Sequence, residues 1–248
     1  MLEVKSISKT YGKKENRFKA LDNVSFDVSE GMTVAIIGKS GSGKSTLMHI
    51  MSGLDSADNG KILFHGKDIQ QMKRKDSEKF RAKEMGFIFQ SFFIEPNQTV
   101  YQNVMLPLEI GKVGMRRRKA MVLEALESVE LLDKQKNRAR DLSGGQKQRL
   151  AIARAIVHKP KLIFADEPTG NLDSQTGDKV MNLLFSLNKN LGSTLVIVTH
   201  DRELAQKCQV RIEIADGRIK AITKPRTGTQ VVTSRKSLAP KHSPRRIM

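Results

Sequence analysis

Gly38-Lys39-Ser40-Gly41-Ser42-Gly43-Lys44-Ser45 is the stretch that decides the fold. It follows the strand-like stretch Met32–Ile37, apolar but for Thr33, and leads into a helical pattern, Thr46–Met51. It fits the spacing G-x-x-x-x-G-K-[ST]. A buried strand opening into a glycine loop and then a helix lets backbone amides turn inward around phosphate groups, with the positive helix end behind them. In that arrangement Lys44 reaches the β- and γ-phosphates, Ser45 ligates magnesium and Thr46 contacts the α-phosphate. Gly38, Lys39, Ser40, Gly41, Ser42 and Gly43 form the cradle.

Working outward, Leu162-Ile163-Phe164-Ala165-Asp166-Glu167 reads as a second buried strand ending in two acids. A carboxylate at the C-terminal end of such a strand lies beside the metal of a phosphate site. Asp166 is therefore expected to hold magnesium, and Glu167 to polarise the attacking water. Two adjacent acids are ordinarily surface charge, but four apolar residues before them and Pro168 after them put these at the mouth of a sheet. Sixteen residues before that strand ends the pentapeptide Leu142-Ser143-Gly144-Gly145-Gln146, with a helical pattern continuing to Val157.

Strand patterns alternate with helical ones in the first and last thirds. Leu2–Thr10 and Val24–Val28 alternate as half-buried antiparallel strands, with turns expected at Asp22-Asn23 and Asn59-Gly60. Lys61–Phe64, Gly86–Gln90, Thr194–Val198, Val210–Ile214 and Arg218–Ile222 are further strands. Residues 68–84 have helical spacing. The middle third lacks strong strand signals; Gln98–Leu108 and Arg116–Leu132 read as helices, the second with an apolar face of Met121, Leu123, Ala125, Leu126, Val129 and Leu132. The expectation is an α/β fold with a parallel core and a helical insertion.

The formal charge of +18 favours acidic partners such as nucleic acid, anionic lipid or polyphosphate, without choosing among them. Part of it is local: residues 223–248 hold seven Lys/Arg and no acid and are broken by Pro225, Gly228, Pro240 and Pro244. This reads as a flexible basic tail, either merely solvated or touching an anionic membrane surface. No apolar stretch approaches the roughly 20 residues needed to span a bilayer, and the first residues lack the apolar core of a secretory signal. One cysteine, Cys208, cannot form an internal disulfide and reads as a small helix-face residue. A reducing, cytoplasmic setting is expected.

With both phosphate-site motifs and the pentapeptide in order, the chain from Leu2 to Ile222 resembles the nucleotide-binding subunit of ATP-binding-cassette (ABC) transporters. The resemblance implies a P-loop NTPase of ABC type: a RecA-like parallel core with N-terminal antiparallel strands, covering about 1–90 and 158–222, and a helical subdomain at about 91–157. It implies ATP and Mg2+ as ligands and hydrolysis of ATP to ADP and phosphate. Tyr11 matches the family's adenine-stacking aromatic. Gln90 matches the glutamine that touches magnesium and the attacking water. Asp173, in Asn171-Leu172-Asp173, belongs to the loop that crosses between monomers, and His200 matches the switch histidine at the γ-phosphate. Ser143, Gly144, Gly145 and Gln146 are implied to open a helix aimed at the γ-phosphate held by a second copy. Two ATPs are then shared by a head-to-tail homodimer.

Within the family, Phe87–Ser91, Asn103–Leu108 and Asp166–Asp173 look like the bacterial branch that serves macrolide exporters, lipoprotein-releasing complexes, antimicrobial-peptide resistance pumps and cell-division hydrolase regulators. That branch implies a separate integral-membrane permease as partner and a location on the inner face of the plasma membrane. Lys39, Ile94-Glu95-Pro96-Asn97 and Arg138-Ala139-Arg140 depart from the usual family residues. An alternative is a soluble nucleic-acid-associated ABC ATPase, which the charge favours. The second cassette, long coiled coil or zinc motif typical of such proteins is not found here, so nucleic acid is not the expected partner.

Overall fold

The computed structural model describes residues 1–13 and 16–224. Six strands make the central sheet: β3 (Thr33–Ile37), β6 (Met85–Phe89), β7 (Leu162–Asp166), β8 (Thr194–Thr199), β9 (Val210–Ala215) and β10 (Arg218–Thr223). Their order is β10-β9-β3-β8-β7-β6. Every pairing is parallel except the β9–β10 hairpin. The apolar runs Val34–Ile37 of β3, Leu162–Ala165 of β7 and Leu195–Val198 of β8 have a physical reason: both faces of this sheet are covered. Ala35, Ile163, Ala165, Leu195 and Ile197 point into a helical layer. Their neighbours Val34, Ile36, Phe164, Val196 and Val198 point into the opposite layer, with the period of two that a strand imposes.

That opposite layer is closed by a four-stranded antiparallel sheet. It contains β1 (Leu2–Tyr11), β2 (Phe18–Val28), β4 (Asn59–Phe64) and β5 (Lys67–Asp68), in the order β2-β1-β4-β5. Helix α1 (Lys44–Met51) lies between the sheets, burying Leu47, Met48, Ile50 and Met51. The two turns expected here are absent. Asp22-Asn23 lies inside β2, where Asn23 takes φ 52°, and Asn59-Gly60 begins β4. Both positions sit beside shifts in the β1 register. Residues with left-handed backbone serve a strand as bulges as readily as they serve turns. A Cβ on Gly60 would lie 2.4 Å from the Lys5 carbonyl oxygen, so its glycine is a matter of close strand approach.

The other face carries α3 (Val100–Ile110), α4 (Met115–Ser128), α5 (Gly144–Ile156) and α6 (Ser174–Leu191), while α2 (Arg74–Glu84) precedes β6 and α7 (Arg202–Gln206) follows β8. The helical expectation for residues 68–84 shortens to α2, since β5 and a 3-10 turn occupy its start. The expected face of α4 is rotated. Val122, Ala125 and Leu126 are buried, Leu123 is only half-buried and Leu132 is exposed. The helix ends at Ser128, and Val129 and Leu131 reach the core from the turn beyond it. Each such fully buried aliphatic side chain stabilises the packing by about 1.5–3 kcal/mol. Thr223 is part of β10, one residue past the expected domain end, and the rest of the proposed basic tail from residue 225 lies outside the described residues. Among the described residues no helix is long and apolar enough to cross a membrane.

Candidate nucleotide site

The loop between β3 and α1 turns on backbone that only glycine supplies. Gly43 has φ 102°, and a Cβ there would meet the Ala20 carbonyl at 2.5 Å; one on Gly38 would meet that of Ile214 at 2.2 Å. Gly43 occupies the N-cap of α1 without any side-chain cap, so the first amides of the helix have no side-chain acceptor. The Ser42 hydroxyl is buried without a hydrogen-bond partner. Lys44 donates from Nζ to the carbonyls of Gly38 and Lys39, both at 2.9 Å, leaving one of its three donors unused. Free amides and a spare ammonium proton are the groups that phosphate oxygens satisfy.

The loop opens on a cavity of about 670 Å³ at the C-terminal edge of the parallel strands. Ser40, Gly41, Ser45 and Thr46 face it from the loop and α1; Gln90, Asp166, Glu167 and His200 face it from the ends of β6, β7 and β8. Gly38, Lys39 and Ser42 shape the turn from behind. The structure thus brings together ten expected side chains or loop positions, Gly43 and Lys44 among them, that are dispersed over 160 residues of sequence.

Asp166 is held above the usual carboxylate pKa, first by burial and then by the charge of Glu167; His49, the Ser45 hydroxyl and Lys44 act in the opposite sense. A buried, charged oxygen beside a serine hydroxyl is the environment a hard cation relieves. Among the described residues no three His, Cys, Asp or Glu side chains gather into a metal cage. The residues present fit a magnesium ion, which Ser45, Asp166 and Gln90 would hold.

Glu167 adopts φ 44°, a left-handed backbone that is unusual for a glutamate. Its carboxylate is fixed by three donors: the Thr199 hydroxyl at 3.1 Å, the His200 amide at 3.0 Å and His200 Nδ1 at 2.8 Å. Gln90 is clasped by Asn171, whose Nδ2 donates to the Gln90 carbonyl at 2.8 Å while Gln90 Nε2 donates to Asn171 Oδ1 at 3.3 Å. A Cβ on Gly170 would lie 2.7 Å from Gln90 Nε2, so the glycine makes room for this clasp. Thr199 and the pairing of Asn171 with Gln90 escape a motif reading because each acts through a partner distant in sequence.

Six further expected residues, Tyr11, Asp173 and Ser143–Gln146, are absent from the cavity lining. Tyr11 ends β1 opposite Phe18 and donates its hydroxyl to Asp55 at 2.6 Å, with the Lys9 ammonium 5.1 Å from its ring centroid. It is Phe18, 58% exposed, that lines the cavity wall. Asp173 caps α6, accepting from the Thr176 amide at 2.9 Å; that backbone hydrogen bond is the main cause of its lowered pKa. Ser143 caps α5 in a reciprocal box: its amide donates to Gln146 Oε1 at 2.9 Å and its Oγ accepts from the Gln146 amide. Ser143, Gly144, Gly145 and Gln146 are all absent from the lining of the cavity, and Gly144 is exposed. The end of α5 therefore presents its positive pole elsewhere.

Comparison with known proteins agrees with this geometry. Residues 21–170 match the family model for ABC transporters. An uncharacterised ABC transporter ATP-binding protein of Thermotoga maritima is 43% identical over 222 residues, covering 90% of this chain and 94% of its own. One of Mycobacterium tuberculosis is 38% identical over 219 residues, 88% of each chain. The dimeric structure of MJ0796, a bacterial ABC transporter cassette, superposes with a TM-score of 0.83 at 39% identity, over 91% of this chain and 99% of that one. The same cassette is known in a dimeric post-hydrolysis state bound to ADP and phosphate. CbiO1 of Clostridium perfringens, part of the cbiONQ transporter complex, has a TM-score of 0.81 at 30% identity, over 90% of this chain and 88% of its own. The chain therefore belongs to the ABC transporter family as an ATP-binding cassette that hydrolyses ATP.

Proposed function

We propose that two copies of this chain close head-to-tail over two ATP molecules and that this closure drives a separate integral-membrane permease. The observation that carries the reading is the position of α5: its capped N-terminus, with Ser143, Gly144 and Gly145, lies outside the cavity of its own chain. Each chain then offers two half-sites. The dimeric forms of MJ0796 support the same arrangement here.

In this reading the loop amides and Lys44 bind the phosphates, and Tyr11, paired across the strands with Phe18 of the cavity wall and close to Thr46, would stack on the base. Magnesium, when bound, offsets phosphate charge at Ser45, Asp166 and Gln90. Glu167 orients the attacking water and accepts its proton, while His200 and Thr199 hold the carboxylate in place. Gln90 positions the same water from the opposite wall. Ser143 and the amides of Gly144 and Gly145 on the second copy donate to the γ-phosphate. Catalysis is positioning and charge stabilisation, with no covalent enzyme intermediate. Loss of the γ-phosphate removes the contact that holds the copies together.

The permease is assigned to a largely apolar groove of about 330 Å³ bounded by α2, β6 and α3, with Phe87, Phe93, Leu106 and Ile110 in its wall. Phe93 is 66% exposed and Ile110 65%, and such paired exposure on a cassette fits a buried contact in a complex. Attachment there would keep the protein on the inner face of the plasma membrane. Purification of the tagged chain from native membranes tests this: a permease recovered with wild type and lost with Phe93→Asp supports the assignment, and equal recovery with both contradicts it.

A further inference from the structure

Two side chains of α5 reach the loops behind the catalytic residues of the same chain. Gln148 is completely buried; its Nε2 donates to the Pro168 carbonyl at 2.6 Å, and its Oε1 is buried without a partner. Pro168 directly follows Glu167. Arg154 donates from Nη1 to the Phe93 carbonyl and from Nη2 to the Phe92 carbonyl, the latter at 2.7 Å. Phe92 and Phe93 are consecutive residues at φ 58° and 47°, two positions beyond Gln90. Left-handed backbone at two bulky residues in a row is a costly turn that needs outside support. Arg154 is half-buried in the wall of the apolar groove, where burial lowers its pKa with Glu95 opposing, and its fork is committed to the turn.

The two residues are six apart on one helix, about 240° around its axis. One helix thus braces both catalytic loops from different sides. A half-satisfied amide in the core is unfavourable for stability alone, since an apolar side chain of similar volume would fill the same space without an orphaned oxygen. Its bond to the carbonyl of Pro168, the residue after Glu167, points to a role in position. The free end of the same helix is the end offered to the second copy's nucleotide.

We propose that Gln148 and Arg154 are positioning residues that link the two composite sites through α5: engagement of the partner's nucleotide at Ser143–Gly145 is passed along the helix to Glu167 through Pro168 and to Gln90 through Phe92 and Phe93. ATP bound in one site then sets the catalytic groups of the other, and turnover is cooperative. The link rests on the composite-site reading above.

The test is the dependence of ATPase rate on ATP concentration for wild type, Gln148→Leu, Gln148→Met, Arg154→Met and Arg154→Lys. Affinity for a fluorescent ADP analogue is measured alongside as a readout of the single half-site. The wild-type Hill coefficient is expected to exceed 1 and to approach at most 2, the number of sites. Gln148→Leu, Gln148→Met and Arg154→Met should bring it to 1 and lower kcat about tenfold, the scale of one lost buried hydrogen bond. ADP affinity should stay within about twofold, because no residue of the phosphate cradle is touched. Arg154→Lys, which keeps a donor, should recover part of both kcat and cooperativity. Wild-type kcat and Hill coefficient in all four variants would overturn the proposal. So would parallel loss of kcat and ADP affinity, which marks general loosening, and so would a wild-type dimer with a Hill coefficient of 1. Absence of any ATP-dependent dimer would instead remove the composite-site reading itself. Thermal melting identifies an unfolded variant, and Gln148→Met and Arg154→Lys preserve side-chain length so that each position keeps a folded test.

Discussion

His200 Nδ1 lies 2.8 Å from Glu167 Oε1, and the His200 amide reaches the same oxygen at 3.0 Å. A carboxylate only accepts, so the Nδ1 bond requires the proton on that nitrogen and leaves Nε2 facing the cavity. The histidine orients the base as well as facing the nucleotide. His200→Ala should lower kcat by about 100-fold or more, within the usual range for losing a group that aligns a general base. It should leave ADP affinity within about twofold, since the loop and α1 are untouched. Steady-state ATPase assays with ADP titrations check both.

Asp166 is the other acid of the site, and its charged form is the disfavoured one. Burial and the neighbouring Glu167 raise its pKa, so without a cation its charged form destabilises the fold at neutral pH. The sign follows from linkage: between the ordinary and the raised pKa the folded state binds more protons, and stability increases as pH falls through that window. Asp166→Asn should therefore raise the Tm of the nucleotide-free protein at pH 7 while reducing magnesium-dependent turnover by at least about 100-fold. Calorimetry with and without magnesium checks it; a lowered Tm would show that the carboxylate is needed for the fold.

Gly144 separates subunit stability from assembly. It is the first residue of α5 and exposed. Gly144→Asp puts a negative charge at a helix N-terminus, which favours the isolated subunit by about 0.3–1 kcal/mol. The same charge would face the γ-phosphate of the second copy and oppose closure. The expected result is an unchanged or slightly raised Tm, unchanged ADP affinity and loss of ATP-dependent dimerisation and turnover.

Cys208 is the chain's one cysteine, buried behind α7, and its thiol is pushed up to about 12 by burial. Thiolate is the reactive form, so iodoacetamide at pH 7 should leave the folded protein unlabelled for hours while labelling it fully in denaturant. Rapid labelling without denaturant, followed by mass spectrometry, would show that the end of α7 opens readily.

The parallel core was legible because its signal is local. β3, β7 and β8 carry the apolar runs Val34–Ile37, Leu162–Ala165 and Leu195–Val198, as a strand buried on both faces favours. The phosphate cradle was legible for the same reason: Gly38 to Ser45 is a contiguous device. The bulges at Asn23 and Gly60 were misread as turns, because left-handed backbone is a property of the residue while its setting depends on the strand opposite. The face of α4 was misassigned by including Leu132, which lies beyond the helix end at Ser128 and outside its periodicity. What the sequence did not disclose is every relationship between distant segments. The Asn171 clasp on Gln90, the Thr199 hydroxyl on Glu167 and the reach of Gln148 and Arg154 from α5 depend on how the chain returns to the sheet edge.

The central claim is that one chain holds two half-sites and no complete one. Glu167→Gln keeps the size of the side chain and its hydrogen-bonding reach but removes the base, so the closed state should persist with uncleaved ATP. Light scattering coupled to size exclusion, run with saturating ATP and magnesium, measures this directly. The account predicts a stable dimer of twice the subunit mass of 27.8 kDa carrying two ATP molecules, and monomer with ADP. A monomer that binds ATP at saturation and never associates would contradict it.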